Sequence, residues 1–226
     1  RQASLIFNVR YYLDNNSDLK KFFGNDYKRA YEHFISTGVD EGRKGSIVFD
    51  VRYYLENNED LRNSLVNNYM AAYKHYIKSG CYESRKATAN LDLEIYRAFN
   101  NDLKNMSNYD LTNHYKNCGY KEGRISNISK DKIQLIFNYK DYAELNPDLK
   151  NAFGYNETAL YSHWLNCGIK EGRQASKIFD VKYYLNNNTD LKRAFGNDYK
   201  RAYLHFVQNG INEERRATRN FDVNVY

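Results

Sequence analysis

The side chains with the greatest chemical reach recur at fixed places. All five histidines, His33, His75, His114, His163 and His205, open the same pattern, His-aromatic-x-x-x-Gly. A catalytic histidine is an acid or base with an oriented partner in one pocket. Five equivalent copies point instead to a role that every unit needs: a partly buried imidazole hydrogen-bonded to backbone or to a neighbouring acid. Zinc takes three or four ligands at about 2 Å. One histidine per unit does not supply them, and no Cys-x-x-Cys accompanies it. No metal, no other cofactor and no catalytic residue is expected.

Three further patterns carry potential chemistry. Asp14-Asn15-Asn16-Ser17-Asp18 begins like a calcium loop, but Leu19 stands where such a loop needs Gly and Asn25 where it needs Glu. A helix stop followed by an Asp N-cap accounts for all five copies. Glu41 and Arg43 recur as Glu83/Arg85, Glu122/Arg124, Glu171/Arg173 and Glu213/Arg215. Such an arginine could clamp a carboxylate or phosphate. The expectation is that it pairs with an acid, Asp18 or its equivalent, and pins one unit to the next. Of the three cysteines, Cys118 and Cys167 share one place, just before the Gly, and Cys81 does not. Equivalent places on packed helices lie roughly 8–10 Å apart, beyond the reach of about 7 Å that a disulfide allows. Three free thiols are expected.

The Tyr-Tyr pair separates two roles. Tyr12, Tyr54, Tyr96, Tyr142 and Tyr184 are tyrosine in every copy and are assigned to the core. The preceding place varies, as Tyr11, Tyr53, Ile95, Asp141 and Tyr183, so it is at least partly exposed. Arg10, Arg52, Lys140 and Lys182 stand beside it. Aromatics next to cations, repeated along an array, could stack on sugar rings or bases; the alternative is ordinary surface aromatics. Tyr11, Tyr53 and Tyr183, with Arg10, Arg52 and Lys182, form the candidate ligand face.

These side chains must be positioned by one unit used again and again. Phe7 to Phe49, Phe49 to Leu91, Phe137 to Phe179 and Phe179 to Phe221 are each 42 residues apart. The boundaries are 1–6 for the tail of a preceding repeat, 7–48, 49–90, 91–136, 137–178 and 179–220 for repeats one to five, and 221–226 for the opening of another. The third is shortened between Leu103 and His114, and a polar stretch, Ser126 to Gln134, is inserted after it. A flexible joint is expected there. The chain then reads as a piece cut from a longer array.

Each unit predicts three short helices. Asp50, Asp180, Asn8 and Asn138 are N-caps of the first, with Phe49 and Tyr54 spaced as a hydrophobic staple. Asp60 and its equivalents Asp18, Asp102, Asp148 and Asp190 are expected to cap the second. Pro147 sits where a helix interior would reject it. Tyr27, Ala30, Tyr31, Phe34 and Ile35 give the third an apolar stripe, and Gly38 is expected to end it in the left-handed conformation. A unit of this kind buries its aromatic face only by stacking, so the fold class is an all-α, solenoid-like tandem array of about five 42-residue three-helix repeats.

The pattern F-D-x-x-Y-Y-L-x-x-N-x-D-L … H-[YF]-x-x-x-G-x-x-E-G-R resembles tandem helical repeats common in bacterial secreted and cell-surface proteins. Phe7, Tyr12, Leu13, Asp18, Leu19, His33, Gly38, Glu41, Gly42 and Arg43 carry it in the first unit. Ser84 and Glu214 replace Gly in units two and five, and Ile95 and Arg97 make the third depart most. The resemblance implies location and architecture rather than one activity.

Composition agrees with a binding or structural role. With 42% hydrophobic residues, 23 Tyr and 12 Phe, much of the core must be aromatic. Mean hydropathy is −0.86, and no apolar run is long enough to span a bilayer. The net charge of +6 is interleaved rather than clustered, favouring polyanions modestly without the dense basic stripe of a nucleic-acid reader. The chain is read as non-enzymatic and as secreted or at the cell surface. Its expected partner is cell-envelope polysaccharide or, in the alternative, another surface protein for which it acts as adhesion segment or spacer. Oligomeric state is not encoded in any pattern here.

Overall fold

The computed structural model describes residues 5–219. The expected tail of a preceding repeat, up to Ser4, and the opening of another at 221–226 lie outside the described residues. The described chain is all-helical: no strand is present among these residues, only an isolated bridge between Ser46 and Phe49. None of its helices is long and apolar enough to cross a membrane. The chain divides into two compact bodies, 1–127 and 128–226. The division falls inside the inserted polar stretch, part of which is helical: Lys130–Ile136 forms a helix that buries Ile136 beside Phe137.

The helical units look alike. In segment 7–48 the helices are Val9–Asp14, Ser17–Phe23 and Tyr27–His33. The side chains of Asn8, Asp50, Asp92, Asn138 and Asp180 each accept a backbone N–H of the first helical turn, satisfying donors that a helix start leaves open. The staple is present: the Phe49 and Tyr54 rings are 5.4 Å apart and the Phe179 and Tyr184 rings 5.3 Å. Pro147 takes the first position of its helix, where its missing N–H costs nothing.

Three local expectations are corrected. Asp18, Asp60, Asp102, Asp148 and Asp190 do not cap the second helix; Asn16, Asn58, Asn100, Asn146 and Asn188 hold that place. The Asn58 side chain instead donates to the carbonyls of Tyr54 and Lys86, which leaves Asp60 in the first turn to meet an arginine. Gly38 does not end the third helix in the left-handed region. The helix runs on into a π-helical turn, Phe34–Gly38, closed by Val39 N–H on the Phe34 carbonyl. The left-handed residue is Gly42, at φ 70. There Gly42 N–H meets the Val39 carbonyl and Arg43 N–H the Gly38 carbonyl, a Schellman motif. Of the expected stripe, only Ala30 and Phe34 are buried, while Tyr27, Tyr31 and Ile35 are exposed. Tyr31 is exposed because its equivalents Tyr73 and Tyr203 are covered by a ring of the neighbouring unit, Phe34 or Trp164, and Tyr31 is not.

Each unit closes on itself. Asn8 N–H donates to Gly45 O, Asp50 to Ala87, Asp92 to Ser126, Asn138 to Ala175 and Asp180 to Ala217, all at 2.8–2.9 Å. Neighbouring units join through rings: Phe34 against Tyr73 at 5.8 Å in the first body, Trp164 against Tyr203 at 5.7 Å in the second. Tyr73 and Tyr203 are buried there, while Tyr31, at the equivalent place of segment 7–48, is exposed.

Candidate functional site

The histidines are explained from the core outward. Tyr12, Tyr54, Tyr96, Tyr142 and Tyr184 are fully buried. Their hydroxyls lie 2.7–2.9 Å from Nδ1 of His33, His75, His114, His163 and His205 respectively. The imidazole partner common to all five is therefore a buried tyrosine on the first helix; His205 also faces an acid, Glu213, at 4.0 Å. Burial pushes the Tyr12 and Tyr96 hydroxyls up to about 12 and the other three higher still. The Gly after each histidine belongs to the same contact. A Cβ on Gly38, Gly80, Gly119, Gly168 or Gly210 would sit 1.9–2.2 Å from that hydroxyl, so the glycine makes room for the phenol rather than for a turn.

The arginines close a second contact. Arg43 donates to both Asp18 carboxylate oxygens, at 3.1 and 2.9 Å, to Asn16 Oδ1 at 2.9 Å, and through Nε to Glu41. Arg85 with Asp60, Arg124 with Asp102, Arg173 with Asp148 and Arg215 with Asp190 repeat the pair. The arginine hydrogen bonds hold the Asp18, Asp60, Asp102 and Asp190 carboxyls below their ordinary range. Both partners lie in one unit, which corrects the expectation that the arginine ties a unit to its successor. That task falls to the candidate cations. Arg52, over the Tyr69 ring of its own unit, donates to the Glu41 carbonyl of the preceding one, and Lys182, over its own Tyr199, packs beside Gly172 of the preceding unit, where a Cβ would meet its Cε at 2.8 Å.

The candidate ligand face is therefore partly spent on junctions. Tyr11, Tyr53 and Tyr183 are half-buried, and Arg10, Arg52 and Lys182 exposed. Burial raises the Tyr11 and Tyr53 hydroxyls, with Asp50 acting on the first and Asp92 on the second. Both acids are N-caps of the following unit. Asp141, at the same place, accepts the backbone N–H of Lys177. Ile95, its counterpart in the third unit, is buried.

A different aromatic surface lies at the corner between second and third helices, which sequence reasoning passed over. Phe22 is 71% exposed, and Arg29 stands 5.8 Å over its ring and 5.7 Å over Phe23. In segment 137–178 the corner holds Phe153 and Tyr155, with Lys150 5.3 Å over Tyr155. In segment 179–220 Arg201 lies 4.4 Å over Phe195. The signal was present in spacing: Phe23, Phe153 and Phe195 share one repeat position, as do Arg29 and Arg201.

Cys81, Cys118 and Cys167 are free, the first buried and the others exposed. One metal-capable grouping was also missed. His163, Cys167 and Glu171 bring their ligand atoms within 4.8 Å of one another, the one such trio among the described residues. Counting one histidine per unit overlooked that residues four apart on one continuous helix share a face. No protein-family model, no curated protein and no solved structure matches the chain.

Proposed function

We propose that this chain is a solenoid-like tandem array of about five 42-residue three-helix units, serving as a non-enzymatic binding module of a secreted or cell-surface protein that attaches to cell-envelope glycan. The observation that carries this reading is an aromatic ring paired with a cation at the corner of units one, four and five: Phe22 and Tyr155 face solvent, and Phe195 is half-buried. Sugar rings present C–H faces to such rings, and charged envelope polymers favour the cations. Each contact is worth roughly 0.5–1 kcal/mol when exposed, and repetition raises the total through effective concentration. The net charge of +6 acts in the same direction. The tyrosines, histidines and arginines that could have done chemistry are instead tied into each unit's closure.

The test is co-sedimentation with purified cell walls. Replacing Phe22, Tyr155 and Phe195 together with Ser should cut binding steeply while helicity stays unchanged. The same replacement at Tyr11, Tyr53 and Tyr183 should lower stability at the junctions and affect binding less. Undiminished wall binding by the first triple variant would remove the corner as the site. A protein–protein adhesion or spacer segment is the second reading. It is favoured by the commitment of Arg52 and Lys182 to junctions, and it moves ahead if the parent does not bind walls at all.

A further inference from the structure

We propose that His163, Cys167 and Glu171 bind one divalent transition-metal ion of the zinc class. The three stand four residues apart along a single run of helix. His163 closes the α-helix Glu157–His163, Cys167 lies in the π-helical turn Trp164–Gly168, and Glu171 ends the short helix Ile169–Glu171. In a pure α-helix, residues four apart drift round the axis by about 40°. The wider π turn offsets that drift, and the imidazole, thiol and carboxylate come to lie within 4.8 Å.

The donor set is chemically matched. A nitrogen, a thiolate sulfur and a carboxylate oxygen suit zinc, with a fourth position left to water or an outside donor. Each ligand has a support. Nδ1 of His163 is 2.9 Å from the buried Tyr142 hydroxyl, which orients the ring and leaves Nε2 for the metal. In the equivalent place of segment 179–220 it is Nε2 of His205 that faces Glu213, at 4.0 Å. Arg173 Nε holds Oε2 of Glu171 at 2.5 Å, leaving Oε1 open. Arg173 is itself balanced by Asp148, so it places no unpaired positive charge beside the ion. Such outer partners are the usual means of fixing ligand orientation.

Ligand atoms about 2 Å from a tetrahedral ion lie roughly 3–4 Å apart. Cys167 and Glu171 are both exposed, so their side chains can close the remaining ångström or so without disturbing the core. On binding, the Cys167 S–H bond breaks, the proton passes to solvent and the thiolate takes the metal. Position 167 is Thr37, Ser79 and Asn209 in units one, two and five, none of which supplies a thiolate. Unit three has His114, Cys118 and Glu122 at the same spacing, but these do not close to 4.8 Å.

The experiment uses the chain as it is, with Co²⁺ as probe and Zn²⁺ as competitor. One equivalent of Co²⁺ should produce a thiolate-to-cobalt charge-transfer band, which Zn²⁺ then removes. Cys167→Ser and Cys167→Ala should abolish the band with circular dichroism unchanged, and Cys118→Ser should keep it. Glu171→Gln should weaken Zn²⁺ binding at least tenfold. Tyr142→Phe, which touches no metal, should weaken it about tenfold through the ring's orientation. Absence of the band in the parent chain overturns the proposal, as does its survival in both Cys167 variants or its loss in Cys118→Ser.

Discussion

At the scale of single residues, the organising object is a phenol inside a helical unit, with an imidazole at its hydroxyl and a glycine giving way to it. Gly80 and Tyr54 should therefore be coupled. Gly80→Ala places a methyl 2.2 Å from the Tyr54 hydroxyl and should destabilise by about 1–3 kcal/mol, as overpacking does. Tyr54→Phe alone should cost about 1 kcal/mol for the lost hydrogen bond. The double variant should be less destabilised than the sum, because Tyr54→Phe removes the atom that clashes; chemical denaturation of the four proteins measures this coupling. Alkali supplies a second test. The Tyr12 and Tyr96 hydroxyls ionise near 12 in the folded chain, against about 10 when free. Below pH 10 both states are neutral and nothing is lost. Between about pH 10 and 12 the unfolded chain releases these protons first, so stability falls as pH rises. Midpoints from denaturant titrations across that interval should drop, and the phenolate absorbance of these tyrosines should appear with unfolding. That the five histidines share one setting was legible from their recurrence. Their partner was not, because the tyrosine lies 18 to 21 residues away and only the packing of first helix on third brings it near. Gly38 was misjudged because a glycine after a helical stripe suggests a turn, whereas here the constraint comes from a side chain elsewhere.

At the scale of helices and turns, one departure from the repeat leaves a mark. Gly24, Gly154 and Gly196 follow the second helix at φ 55–61 and ψ −117 to −128, a region effectively confined to glycine. Segment 49–90 has Val66 there instead, and the backbone passes through two consecutive left-handed residues, Val66 at φ 37 and Asn67 at φ 62. A β-branched residue in that region is strained. Val66 is 73% exposed, so little packing is lost on its removal, and Val66→Gly should raise stability by about 1 kcal/mol in thermal unfolding. The arginine contact makes a prediction of the opposite sign. Arg85→Lys keeps the charge but not the fork that reaches Asp60, Asn58 and Glu83, so the melting temperature should fall nearly as far as for Arg85→Ala. The depressed carboxyls of Asp18, Asp60, Asp102 and Asp190 stabilise the fold above about pH 4, the range where a free aspartate is ionised. That contribution should be lost as acid carries pH down through their lowered folded values. First-helix caps and the staple were readable because both are local. The exchange of roles between Asn58 and Asp60 was not, since it depends on the Lys86 carbonyl and the Arg85 side chain, more than twenty residues downstream.

At the scale of the molecule, the two bodies part where the sequence inserts a polar stretch, and helical periodicity alone made the all-helical class plain. Which aromatics stay exposed was less legible, because that depends on which ring meets the neighbouring unit: Tyr73 is covered and Tyr31 is not. In the first body, Lys116 donates to the Phe7 carbonyl at 3.1 Å, across 109 residues. Burial lowers the Lys116 ammonium from its usual value, and Tyr115 and Tyr120 act on Tyr11 nearby. Lys116→Met should therefore cost about 1.5–3 kcal/mol, in line with hydrogen bonds to charged groups, and should speed amide exchange in the first helix, Val9–Asp14. The same contact sets a clock on biosynthesis. A ribosome adding roughly 5–20 residues per second presents Phe7 some 5–20 seconds before Lys116 exists. During that interval the Phe7 carbonyl is left to water and Tyr11 is only half-covered, and a chaperone or another nascent chain has its opening before Lys116 arrives.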